Sequence, residues 1–92
     1  MKQFVVIAYD ICDDKRRQKV AKVLVGYGIR SNFSVFECLI TETQIKTMQK
    51  RLNKIVDSKS DCILYYYLCK TCVGKREFSG KHYEISSEVI WI

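Results

Sequence analysis

The chain has 92 residues, 48% of them apolar or aromatic, with 16 Lys and Arg against 10 Asp and Glu and a net charge of +6. That length holds one domain with a small core, and no proline-rich or low-complexity tract divides it, so a single domain over residues 1–92 is expected, with its core at about 1–78. No apolar stretch approaches a membrane span, and "FVVIAY" after Lys2 is too short for a signal core, which predicts a cytoplasmic protein without a membrane partner.

"QFVVIAY", residues 3–9, is a continuous apolar run rich in β-branched types and predicts a buried strand. Asp10 follows at once. Asp13 or Asp14 then caps a helix, whose buried face is Val20, Val23, Leu24 and Tyr27. Lys15, Arg16, Lys19 and Lys22 lie largely on its other side. Gly26 and Gly28 are expected to end it through a left-handed cap. "IRSNFSVFECLI", residues 29–40, reads either as one long kinked strand or as two strands joined at Ser31–Asn32.

Thr41 and Gln44 have capping-box spacing and open a second helix. Ile45, Met48, Leu52, Ile55 and Val56 form its apolar stripe through residue 56, with Lys46, Lys50 and Lys54 outside. "DSKSD" is a turn, and "CILYYYL", residues 62–68, is a strand apolar on both faces. "KREFSGKHYEI" predicts a short strand and a turn, and "EVIWI", residues 88–92, a last apolar strand.

With two strands in the middle, this order is βαββαβ: an α+β, ferredoxin-like fold with two helices on one face of an antiparallel sheet. Two helices cover one sheet face only. "FVVIAY" and "ILYYYL" are apolar on both, so a second copy of the chain is the economical cover, giving a homodimer. The C-terminal strand, about residues 83–92, is expected to pair with the neighbouring subunit rather than stand as an exposed edge.

The five cysteines, an odd number without an export signal, point to reduced thiols. Cys69 and Cys72 have C-x-x-C spacing, but a structural zinc needs four ligands. His82 supplies at most a third, and no helix follows to activate a redox thiolate. The pair reads as incidental packing at a strand end.

"YDI", "DDKRR", "GIR" and "SVFEC", taken in that order and spacing, together with the helix and loop residues "ITETQIKTMQKRLNKIVDSKSD" after them, resemble the CRISPR-associated Cas-two proteins over essentially the whole chain. The resemblance implies a ferredoxin-like homodimer with an exchanged C-terminal strand. It also implies a place between dimers of the Cas-one integrase, in the complex that inserts DNA fragments as new spacers. Many members are described as metal-dependent nucleases on single-stranded RNA or double-stranded DNA, with the strand-end aspartate as metal ligand. That residue is Asp10 here. Further implicated positions match Tyr9, Arg17, Lys19, Arg30, Ser34 and Phe36, with Arg16 beside them on the basic helix face.

Phosphodiester hydrolysis needs an activated water and neutralised phosphate charge. Mg²⁺ supplies both, held by one or two carboxylates. Two Asp10 side chains across a twofold axis make such a site if the first strand ends near that axis. Arg17 and Arg30 are suited to grip phosphates. Phe36 is read either as a base-stacking residue or as a core aromatic. Asp13 and Asp14 are assigned to helix capping, and no general base stands out. The expected function is a CRISPR adaptation scaffold on duplex DNA, with Mg²⁺-dependent cleavage at Asp10. Two other readings share the fold: a toxin-like ribonuclease of the virulence-associated D type, and a non-catalytic regulatory dimer.

Overall fold

The computed structural model describes residues 1–69. Its elements run β1 (Lys2–Asp10), α1 (Asp14–Val25), β2 (Gly28–Asn32), β3 (Val35–Thr41), α2 (Glu42–Asn53) and β4 (Cys62–Leu68). The strand and turn expected at 75–85, the strand at 88–92, Cys72 and His82 lie outside the described residues.

The strands form one sheet in the order β2-β3-β1-β4, every neighbouring pair antiparallel. This is the expected ferredoxin-like arrangement, with β1 and β3 central. Strand alternation divides β1 between two environments. Val5, Ile7 and Tyr9 point to the helix side, where they pack with Phe36, Cys38 and Ile40 of β3 and with Val20, Leu24, Ile45, Met48 and Leu52 of the helices. Each fully buried side chain of this kind contributes about 1.5–3 kcal/mol relative to exposure.

Helix α1 begins where Asp13, in extended backbone, accepts a hydrogen bond from the Arg16 N–H at 2.9 Å. Asp13 is therefore the cap, and Asp14 sits in the first turn, where the helix dipole favours a negative charge. Of the expected buried face, Val20 and Leu24 are fully enclosed, while Val23 and Tyr27 pack half-buried at its margin. Lys15, Lys19 and Lys22 are exposed, as predicted.

The helix end differs from the expectation. Gly26 caps α1 in right-handed geometry, φ −74° and ψ −11°, with its N–H reaching the Leu24 and Val23 carbonyls. Gly28 belongs to β2 and is required for a different reason. A Cβ there would stand 2.4 Å from both the Cys38 sulfur and the Glu37 carbonyl oxygen, so only glycine lets β2 approach β3.

The 29–40 stretch is two strands, and their turn is Phe33–Ser34 rather than Ser31–Asn32. Ser31 looks like a turn residue but is buried in an irregularity of the β2–β3 register between Arg30 and Asn32, where its hydroxyl donates to the Val35 carbonyl at 3.5 Å. Thr41 and Gln44 form the predicted capping box. Helix α2 stops at Asn53, short of residue 56. Ile55 and Val56 instead hydrogen-bond the Leu52 carbonyl and stay packed on the core as the chain enters the Asp57–Asp61 loop.

Candidate functional site

The antiparallel register brings the C-terminal end of β1 beside the β2–β3 turn and the start of β4. Ala8 faces Val35 on one side, and Asp10 faces Cys62 on the other. The first turn of α1 follows directly. Asp10, Cys12, Arg16, Arg17, the Phe33–Ser34 turn and Asp61 therefore gather at one end of the sheet.

The described residues hold all five aspartates of the chain, and four have committed carboxylates. Asp13 caps α1. Asp14 forms an ion pair with Arg17 one turn later, so its role is more than capping. The Asp57 carboxylate accepts from the Lys59 N–H at 3.0 Å. Asp61 takes Arg16 with two oxygens, Nε at 2.7 Å and Nη2 at 3.2 Å, and also accepts the Cys12 N–H at 3.1 Å and the Asp57 N–H at 2.9 Å. Asp10, exposed at the strand end, has no hydrogen bond or ion pair through its carboxylate among the described residues.

Asp61 is the residue that sequence reasoning missed. Its side chain is fully enclosed, and the Arg16 guanidinium, aided by the Asp57 and Cys12 N–H groups, holds its carboxyl well below the usual carboxylate range. This one side chain fastens the segment after Asp10 to the loop before β4. A pairing 45 positions apart leaves no local pattern to find it by.

The two arginines differ accordingly. Arg16 is held in a two-point clamp. Arg17 donates through Nη1 to the Ile11 carbonyl at 2.8 Å, and its pair with Asp14 is exposed. An exposed pair contributes about 0–1 kcal/mol, so a phosphate can replace Asp14 at little cost. Lys19 is exposed farther along α1.

Tyr9, Arg30 and Phe36 occupy the helix side of the sheet, opposite to Asp10. Phe36 is 0% exposed, stacked at 6.2 Å on Tyr9, with the Arg30 guanidinium 5.1 Å from its ring centre. Of the two readings of Phe36, the core aromatic is the one this packing matches. Ser34 acts through its backbone, its carbonyl accepting the Tyr9 N–H at 3.1 Å, while the Tyr9 hydroxyl reaches the Phe33 carbonyl at 3.5 Å. Burial pushes the Cys38 thiol up to about 12, with Glu37 adding to the shift.

No three His, Cys, Asp or Glu side chains converge as metal ligands among the described residues. An Mg²⁺ ion uses one or two carboxylates and fills its remaining positions with water and phosphate oxygens. Asp10 fits as one such ligand. No helix of the described residues is long and apolar enough to cross a membrane.

These features define a ferredoxin-like α+β protein with an exposed strand-end carboxylate and basic helix surfaces. The family model described as CRISPR associated protein Cas2 matches residues 1–76. A CRISPR-associated endoribonuclease Cas2 of Rhodospirillum rubrum is 44% identical over 87 residues, covering 95% of this chain and 70% of that protein. The crystal structure of Streptococcus pyogenes Cas2 superposes with a TM-score of 0.78 at 36% identity, covering 84% of this chain and 99% of the other. A chain of a partial Cas6-RT-Cas1–Cas2 complex superposes with a TM-score of 0.58 at 26% identity, covering 83% and 89%. The chain belongs to the Cas2 family.

Proposed function

We propose that the protein is a CRISPR adaptation component. A homodimer serves as the scaffold that holds duplex DNA in a spacer-integration complex with the Cas1 integrase, and it carries an Mg²⁺-dependent phosphodiesterase centre at Asp10. The observation that carries the nuclease half is the contrast among the five aspartates: among the described residues four are spent on structure and the exposed fifth is not. The names of the relatives, an endoribonuclease Cas2 and a Cas6-RT-Cas1–Cas2 complex, support the two halves. The net charge of +6 and the exposed lysines on both helices support binding to a phosphate backbone.

In this reading Asp10 of each subunit would hold the ion, which would supply neutralisation of phosphate charge and a water of lowered pKa. Arg17 exchanges Asp14 for a substrate phosphate, and Lys19 extends the contact along α1. Arg16 and Asp61 fix the segment that follows Asp10, so that the carboxylate is presented in one place. Tyr9, locked between Phe36 and the β2–β3 turn, restrains the strand end from the other face.

Asp10→Asn tests both halves. With purified protein, cleavage of labelled single-stranded RNA and of duplex DNA in Mg²⁺ is expected to fall at least roughly a hundredfold, to the level seen with a chelator. Spacer acquisition in cells is expected to persist, because the scaffold relies on phosphate contacts. Cleavage that survives Asp10→Asn removes the nuclease half. Acquisition that survives charge reversal at Lys15, Lys19 and Lys22 together removes the scaffold half.

A further inference from the structure

Phe33 is 66% exposed at the tip of the β2–β3 turn. Among the described residues Phe33 belongs to neither apolar cluster of the sheet. Its backbone is nevertheless fixed. The Phe33 N–H donates to the Asn32 side-chain oxygen at 2.7 Å, and the Phe33 carbonyl accepts from the Tyr9 hydroxyl at 3.5 Å. The next carbonyl, that of Ser34, accepts the Tyr9 N–H at 3.1 Å. Tyr9 is in turn buried and stacked on Phe36. An exposed ring is thus mounted on a short turn anchored to the residue that precedes Asp10. Beyond Ala8–Val35, the last pair of the β1–β3 register, the bond from the Tyr9 N–H to the Ser34 carbonyl keeps this turn against the strand end that carries Asp10.

We propose that Phe33 is a stacking platform for an unpaired nucleobase flanking the phosphate at Asp10. The inference rests on the nucleic-acid reading above and narrows its substrate: the nucleotide beside the reacting phosphate must be free of duplex stacking for its face to meet the ring. A phenyl ring offers a π-face to any base and no hydrogen-bond pattern, so it selects unpaired nucleotides without selecting sequence. The same chemistry suits single-stranded RNA and a frayed or overhanging DNA end. Phe36, the aromatic with the stronger motif context, has no free face with which to do this.

The test is equilibrium binding by the full-length chain in a chelator, where nothing is cleaved, to a short single-stranded RNA, its DNA counterpart and a blunt duplex. Phe33→Ala is expected to weaken binding to both single strands by roughly tenfold and to leave the duplex within about twofold. Phe33→Trp, in a Trp91→Phe background, is expected to keep single-strand affinity and to lose emission on binding, as a stacked indole does. A loss confined to RNA or to DNA names the source of the unpaired base. Equal loss on single strands and duplex overturns the proposal, and so does Phe33→Leu binding like the wild type. A change in molar mass with Phe33→Ala overturns it too, because the ring then belongs to a protein contact. The nuclease reading fails separately: Asp10→Asn retaining cleavage sinks that reading while these binding results stand.

Discussion

The helix-side and outer faces of the sheet are built from alternate residues of the same strands, yet they end in different states. On the helix side Val5, Ile7, Phe36 and Cys38 are enclosed by α1 and α2. On the outer side Phe4 packs with Val6, Ile29, Leu39 and Leu68, while Leu64 and Tyr66 stay about half-exposed. Among the described residues no helix covers that second face. Asp10 lies on it by register, opposite Cys62 and in line with Ala8 and Val6. The closed face carries the stability of the single chain. The open face carries the candidate chemistry together with apolar surface left half-exposed among the described residues. One strand serves both because its period of two lets adjacent residues, Tyr9 and Asp10, answer to separate demands.

The largest effect that separates the faces is expected from Phe36→Ala. Phe36 is fully buried between Tyr9 and Arg30, so its loss leaves a cavity and removes the ring beside the Arg30 guanidinium. Chemical denaturation should show a loss of about 3–5 kcal/mol. A loss below about 1 kcal/mol would mean that the helix side is not where folding stability resides.

Much of this arrangement is legible in the sequence, and the exceptions share a cause. "QFVVIAY" and "CILYYYL" announce strands, and T-x-x-Q announces the start of α2, because these signals are local. Three features depend on contacts outside the residue's own element. Gly28 looks like a helix stop and is a close approach to Cys38. Ser31 looks like a turn and fills a buried irregularity beside Val35. Arg16 looks like a phosphate ligand and is the clamp on Asp61. At the candidate site, Asp10 stood out because it follows a strand too early to be a cap. Phe33 and Phe36 could not be told apart until the turn between β2 and β3 was placed, since a shift of the turn decides which ring is inside.

A smaller effect is expected on the open face. Tyr66 pairs with Val6 at the centre of the outer surface and is about half-exposed. Tyr66→Glu places a charge where the proposed second copy would lie, at little cost to the chain's own core. The dissociation constant of the dimer should rise by roughly thirtyfold or more, read as a fall in molar mass on dilution. An unchanged dimer would place the partner elsewhere and leave two Asp10 carboxylates without a common site.

The smallest and most discriminating effect is expected from Asp61→Asn, because asparagine keeps one acceptor oxygen for the Cys12 or Asp57 N–H while giving up the charge opposite Arg16. The folded Asp61 carboxyl titrates well below its ordinary value of 3.8, chiefly through Arg16. A depressed carboxylate pKa stabilises the fold above the unfolded value and loses that contribution as pH falls toward the folded one. The variant should therefore melt below the wild type at neutral pH, and the gap should narrow at about pH 3, where the unfolded carboxyl is already largely protonated. The same substitution should weaken cleavage more than single-strand binding, since it loosens the segment behind Asp10 and touches neither Phe33 nor Lys19. If the gap in melting temperature were constant with pH, the ion pair would not be what holds the open face's carboxylate in place. Tyr9 and its turn would then carry more of the link between the two faces at this end of the sheet.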